Sequence, residues 1–152
     1  MSKFKTYAKA VLIPVIVGGI VGFIISGSID YDSLTKPPLA PPGIVFPIVW
    51  TILYVLMGLS YGMLDTKDLV DSKVKNIYYT QLVVNALWSI IFFTLKLRLF
   101  AFIWILLLLA LIVIMLKTFY EKDKTAAFLQ IPYLIWTAFA TYLNLSIYLL
   151  NG

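Results

Sequence analysis

Nineteen charged residues punctuate this chain, and the gaps between them decide what it folds into. Twenty uncharged residues separate Lys9 from Asp30, 28 separate Lys36 from Asp65, 20 separate Lys75 from Lys96, and 18 separate Arg98 from Lys117; the last 28 residues, after Lys124, carry no charge. A helix rises about 1.5 Å per residue, so about 20 apolar residues cross a hydrocarbon core of about 30 Å. The pattern predicts an all-α integral membrane protein, a bundle of five transmembrane helices near residues 9–28, 43–64, 77–95, 99–118 and 125–150. They form one domain over residues 1–152; with 62% hydrophobic and 12% charged residues there is no room for a separate soluble unit. An odd number of spans argues against the two equal inverted halves of many transporters. Three lysines, an apolar run and Ser26-Gly27-Ser28 imitate a signal peptide, but the run is long and lacks a small-x-small cleavage site, so a retained helix is expected.

Charge placement gives an orientation. Three segments share the side of the N-terminus and hold Lys3, Lys5, Lys9, Lys67, Lys73, Lys75, Lys117, Lys122 and Lys124; the other side holds Lys36, Lys96 and Arg98. Nine basic residues against three predict a cytoplasmic N-terminus, with the first loop and the C-terminus facing outward. An inner or plasma membrane suits apolar helices. The dispersed basic residues make nucleic acid an unsuitable partner. The chain has no Cys and no His, which excludes disulfides, thiolate chemistry and the usual zinc and haem-iron ligands; no metal site and no required cofactor are expected.

Lys36-Pro37-Pro38-Leu39-Ala40-Pro41-Pro42 holds four of the seven prolines. Each fixes its own φ, removes a backbone donor and extends the residue before it. A stiff, greasy loop over residues 30–42 suits a lid over a cavity, where irregular backbone needs protein cover.

Three spans carry an aromatic and amide face at helical spacing. The second has Phe46, Trp50, Tyr54, Met57 and Tyr61; the third has Gln81, Asn85, Trp88 and Phe92; the fifth has Tyr133, Trp136, Ala140, Asn144 and Tyr148, with Pro132 placed to bend the helix. Gln81, Asn85 and Asn144 are expected to point into the bundle, because an unpaired amide is costly in hydrocarbon. Residues 99–116 are almost wholly aliphatic, which reads as a mainly lipid-facing fourth helix. Gly18, Gly22 and Ser26 at four-residue spacing on the first span read as close helix packing within the molecule. The stripes fit either ordinary bundle core or the wall of a ligand cavity, and both readings stand on pattern alone.

The chain also resembles a known family. Tyr31-Asp32-x-Leu34-x-Lys36-Pro37, Pro41-Pro42 and Phe46-Pro47-x-x-Trp50-x-x-Leu53-Tyr54-x-x-Met57-Gly58 look like the translocator protein family, also called tryptophan-rich sensory proteins and peripheral benzodiazepine receptors. Gln81-Leu82-x-x-Asn85-x-x-Trp88-x-x-x-Phe92-Phe93 and Pro132-Tyr133-Leu134-x-Trp136-x-x-Phe139-Ala140-Thr141-Tyr142-Leu143-Asn144 agree, and the likeness covers residues 10–151. The resemblance implies a five-helix bundle, often a homodimer, with a cavity under the first loop that binds porphyrins. Carried over residue by residue, Trp50 and Trp136 match cavity tryptophans, Ala140 a small ligand-linked position, Asn85 and Trp88 the third-helix lining, and Tyr31, Pro41 and Pro42 the closing loop. Leu39 stands where family members usually carry Trp, and Asp30 where an aromatic is usual. The C-terminal cholesterol motif is incomplete, with Leu145 at its Tyr position and no basic residue after Lys124.

The leading expectation is a membrane protein that binds a porphyrin or a similar flat apolar ligand, in sensing or regulating tetrapyrrole or oxidative stress. Aromatic faces would stack on the ring, and its carboxylates would stay near water, with Lys36 the nearest cation. Tyr31, Pro41, Pro42, Phe46, Trp50, Tyr54, Asn85, Trp88, Phe92, Tyr133, Trp136, Ala140 and Asn144 are the expected ligand-binding residues. Membrane lipid and a second copy of the chain are the other expected partners. One alternative is light- or oxidant-driven porphyrin breakdown with Trp50 and Trp136 as oxidisable groups, although the spans offer no general acid, base or nucleophile. The other is transport of tetrapyrroles or lipophilic molecules, although intramembrane ionisable residues are missing.

Overall fold

The computed structural model describes residues 2–27 and 31–151. The described residues form six α-helices and no strand: α1 (Lys3–Ile25), α2 (Val45–Thr66), α3 (Ser72–Ser89), α4 (Arg98–Lys122), α5 (Lys124–Phe128) and α6 (Ile131–Asn151). A π-helical turn, Ile90–Thr94, prolongs α3, and a single 3₁₀ turn, Tyr31–Ser33, opens the lid. Five stretches are long and apolar enough to cross a membrane, the fifth being α5 and α6 together. The first helix starts earlier than the charge gap, because Ser2 caps it by accepting from the Lys5 N–H at 3.2 Å. Pro132 stands at the start of α6, where a missing N–H costs nothing, so it marks a break after α5.

Short polar caps set the other starts at the end away from the lid. Asp71 accepts from the Val74 N–H at 2.9 Å, and Asp123 accepts from the Thr125 and Ala126 N–H groups at 2.9 and 3.3 Å. Both carboxylates also take a lysine: Lys122 donates to Asp71 at 2.7 Å, and Lys67 donates to Asp123. These contacts tie the α2–α3 turn to the α4–α5 turn. The Lys122 hydrogen bond, then the Val74 amide, lower the Asp71 carboxyl below its ordinary range; Lys67 does the same for Asp123.

Helix α1 lies along α2, and α4 packs on both α3 and α6. The closest approach of α1 to α2 is at Gly58, where a side chain would meet the backbone of Ala10 and Val11. On α4 one stripe is wholly buried: Ala101, Ile105, Leu108, Ile112, Met115 and Phe119. Ile103, Leu107, Val113 and Ile114 on its other faces are exposed, as lipid contact requires. The aliphatic helix is thus mainly lipid-facing, as expected, and packs inward through one stripe; which face would do so was hidden because every face is aliphatic.

Candidate functional site

The lid is fastened by side chains that reach its carbonyls. The Tyr31 hydroxyl donates to the Pro41 carbonyl at 2.8 Å, and the Tyr142 hydroxyl on α6 donates to the Pro38 carbonyl at 2.8 Å. At the end of α6, Asn151 accepts from the Thr35 N–H at 3.0 Å and donates to the Thr35 carbonyl at 2.8 Å. The Lys36 ammonium turns inward to the carbonyls of Tyr31, Asp32 and Leu34 at 3.2, 3.2 and 3.4 Å, and stands 5.0 Å from the Tyr31 ring centre. Lys36 therefore holds the loop together. Leu39, at the position where a Trp is usual, takes φ 72° and is 84% exposed. Asp30 lies outside the described residues, as does Ser28 at the expected end of the first span.

Beneath the lid is a chamber of about 670 Å³. Its walls are α1 (Val15, Gly18, Gly19, Val21, Gly22, Ile25), the lid (Tyr31, Asp32) and the two residues that follow it (Gly43, Ile44), one face of the first turns of α2 (Phe46, Pro47, Trp50, Thr51, Tyr54) and, from α3 and its π turn, Ser89 and Phe93. Four expected residues line it: Tyr31, Phe46, Trp50 and Tyr54. Pro41 and Pro42 belong to the lid, Pro41 as the acceptor for Tyr31.

Trp50 is the partition between this chamber and the rest of the expected site. Its ring is 5.9 Å from Tyr54, 6.3 Å from Trp88, 6.3 Å from Tyr133 and 6.5 Å from Trp136, centre to centre. Behind it the space between α2, α3 and α6 is filled. Trp88 stacks on Phe92 at 5.3 Å, and the free volume beside Trp88, Phe92, Ala140 and Asn144 is about 10 Å³, roughly one water. Trp136 is half-buried, touches Phe46 at 5.6 Å, and its Nε1–H has no acceptor among the described residues.

Two polar threads close the region behind Trp50. Tyr54 donates to Asn85 Oδ1 at 2.6 Å, Asn85 Nδ2 donates to the Tyr133 hydroxyl at 2.8 Å, and Tyr133 donates to Gln81 Oε1 at 2.7 Å. Trp88 Nε1 donates to Asn144 Oδ1 at 2.9 Å, and Asn144 Nδ2 donates to the Arg98 carbonyl at 2.8 Å. Gln81, Asn85 and Asn144 therefore face inward and satisfy one another's helices, as buried amides must. The structure brings Asn85, Trp88, Phe92, Tyr133, Ala140 and Asn144 together as a packed wall, and Trp50 and Tyr54 join that wall to the chamber.

Sequence reading missed the α1 side of the site. Gly19 and Gly22 meet nothing within 4 Å where a side chain would start, so they leave room for the chamber, whereas Gly18 lies against the Tyr54 ring. The π turn is the second omission: it buries both Phe92 and Phe93, and Phe93 reaches the chamber. One extra residue per turn re-aims neighbouring side chains, and no 3.6-residue period signals it. Asp32 is the third; only its place in the lid motif could have drawn notice.

A five-span helical membrane protein with a lidded, aromatic-walled chamber is the class these features define. The model of the TspO/MBR family matches residues 10–150. A tryptophan-rich protein TspO from Archaeoglobus fulgidus is 38% identical over 123 residues, 80% of each chain. The tryptophan-rich sensory protein of Cereibacter sphaeroides is 36% identical over 121 residues, 80% of this chain and 76% of that one. A translocator protein homolog from Schizosaccharomyces pombe is 32% identical over 152 residues, 97% of this chain and 93% of that one. The chain belongs to the TspO/MBR family of integral membrane proteins.

Proposed function

We propose that this protein binds flat, apolar aromatic molecules of the porphyrin class in the chamber under its lid, and that occupancy serves to sense or regulate tetrapyrrole or oxidative stress. The chamber volume of about 670 Å³ carries the reading, since small-molecule sites span about 300–1,000 Å³ and are lined mainly by apolar and aromatic groups. Trp50 and Tyr54 offer a ring face on one wall, while Gly19 and Gly22 let a flat ligand approach the α1 backbone on the other. Carboxylates on the ligand would sit at the mouth, in water. The name "sensory protein" of the Cereibacter relative supports a sensing role. We further propose that the N-terminus lies in the cytoplasm, on the nine-to-three bias of basic residues, that the membrane is the cell membrane, and that the chain pairs as a homodimer, as the family resemblance implies.

Titrating protoporphyrin into the protein in nanodiscs, read by tryptophan fluorescence and porphyrin absorbance, tests this. Trp50→Phe should weaken binding about fivefold, from lost ring contact worth about 1 kcal/mol. Trp104→Phe should not, because Trp104 Nε1 donates to the Val84 carbonyl at 2.8 Å, away from the chamber lining. Equal binding by wild type and Trp50→Phe refutes the site.

A second reading has one supporting observation. Trp50 lies in ring contact with Tyr54, Trp88, Tyr133 and Trp136, a cluster of oxidisable groups beside the chamber. Such a cluster suits light-driven degradation of a bound porphyrin. Loss of porphyrin absorbance under illumination, unchanged when Trp50 and Trp136 are both replaced by Phe, removes that reading.

A further inference from the structure

We infer that the tip of the lid, the turn from Pro37 to Ala40, lies in the interfacial layer of the bilayer, with Leu39 as its lipid anchor. The Ala40 N–H closes this turn on the Pro37 carbonyl at 3.3 Å. Pro38 holds the second position and Leu39 the third, at φ 72°. A proline followed by a positive φ makes a type II turn, whose third position favours Gly or Asn. The chain places a leucine there instead, strained by its left-handed backbone and 84% exposed. So exposed a side chain gains little packing within the molecule to offset that strain. Burial in lipid offsets both the strain and the exposure.

Depth along the helices agrees. Thr35 is held by Asn151 at the end of α6, whereas Pro38 is held by Tyr142, whose Cα is about 13 Å nearer the membrane centre. Tyr142 is itself exposed, so the turn lies on an outer flank of α6. From Lys124 to Tyr142 the fifth span climbs about 27 Å, and from Asp65 back to Ile44 the second climbs about 30 Å, against a hydrocarbon core of about 30 Å. Both routes bring the turn to the edge of the hydrocarbon. Exposed Ile44, Ile48 and Ile52 continue the apolar surface from the end of the lid down α2. The turn is also built for little water. The carbonyls of Thr35, Pro37, Pro38, Pro41 and Pro42 accept from Asn151, Ala40, Tyr142, Tyr31 and Val45. The four prolines have no amide hydrogen to satisfy. Irregular backbone is tolerated beside lipid when its polar groups are met in this way. No charged residue lies between Lys36 and Asp65, so the anchor is apolar and works in zwitterionic lipid.

The chain has no cysteine, so Leu39→Cys carries a single nitroxide label. In phosphatidylcholine nanodiscs its collisions with oxygen, which concentrates in lipid, and with a nickel chelate, which stays in water, are read by electron paramagnetic resonance. The standards are labels at Val113→Cys, exposed in the middle of α4, and Ser72→Cys, exposed at the start of α3. Oxygen should outweigh nickel at Leu39→Cys as it does at Val113→Cys. A label as open to nickel as the one at Ser72→Cys overturns the anchor. Low access to both reagents overturns it too, with label–label broadening then marking a contact between two copies. Leu39→Asn tests the tip without a label. If the tip faces water, Asn relieves the turn and protection of the Ala40 amide from hydrogen exchange holds or rises. If the tip lies in lipid, the lost anchor should lower that protection about three- to tenfold. Immersion of the nitroxide without this loss means that the label drew the tip down, and it overturns the inference as well.

Discussion

Replacing Gly58 by Ala is the sharpest test of how α1 sits on α2. The new methyl would lie 2.4 Å from Val11 Cα, 2.7 Å from the Ala10 carbonyl oxygen and 2.9 Å from the Val11 nitrogen. Carbon atoms in contact prefer about 3.5–4.0 Å, so α1 has to withdraw by about 1 Å. All three obstacles are backbone, and no rotamer change relieves them. Overpacking of this kind costs about 1–3 kcal/mol, and rigid neighbours place it at the upper end. Alanine recovers up to about 1 kcal/mol of helix propensity, leaving a net loss of about 2 kcal/mol. For a chain of this length that lowers Tm by about 4–8 °C. Gly22→Ala is the matched control: nothing lies within 4 Å, so it keeps the propensity gain and melts at or above wild type. Gly62→Ala falls between, because its nearest obstacle is the Tyr7 ring at 2.7 Å, which can turn. Thermal melts followed by far-UV circular dichroism in one detergent give the ranking. A Gly58→Ala protein as stable as Gly22→Ala refutes the close approach.

Tyr133→Phe strands Asn85 Nδ2 and Gln81 Oε1 in the interior and should cost about 1–3 kcal/mol, seen as a lowered Tm. The two capping carboxylates predict acid sensitivity. Their folded pKa values lie below the unfolded ones, so their contribution is present above the ordinary carboxylate range and is lost as pH falls through the folded values. Tm should therefore drop below about pH 4, and Asp123→Asn should flatten that drop. Hydrogen exchange reads the lid: Asn151→Ala removes the acceptor of the Thr35 N–H and should speed exchange at that amide, while amides in α4 keep their rates. An unchanged Thr35 rate would mean the latch is not made in the membrane.

The charge gaps were enough to find five spans, because each uncharged run has a length that only a bilayer explains. The amides were legible for a related reason: Gln81, Asn85 and Asn144 had one acceptable direction in an apolar bundle, and they took it. What the stripes could not say is which aromatics border empty space and which fill it. Trp50 and Trp88 sit on equivalent-looking faces, yet Trp50 lines the roomy chamber and Trp88 is packed on Phe92. Periodicity records that a side chain faces inward, not how much volume its neighbours leave. The α1 glycines show the same limit, since Gly18 is pressed by Tyr54 and Gly22 opens on space with an identical spacing signal. Phe93 depended on a π turn, a local change of pitch that no residue type announces.

The fastenings of the lid have a mechanical consequence. Pro37, Pro38, Pro41 and Pro42 have no amide hydrogen, and the hydroxyls of Tyr31 and Tyr142 and the Lys36 ammonium all grip it by carbonyl oxygens. Water accepts and donates in their place when the grip is released, and no backbone donor is left stranded. The segment then swings as a board, without unravelling, and the hurdle to its motion is the undoing of a few outer contacts. Cutting the α6 fastenings at Tyr142 and Asn151 should quicken entry and exit of a ligand by similar factors. Dwell time would shorten while the equilibrium constant stayed nearly where it was, so the loop acts on timing more than on grip.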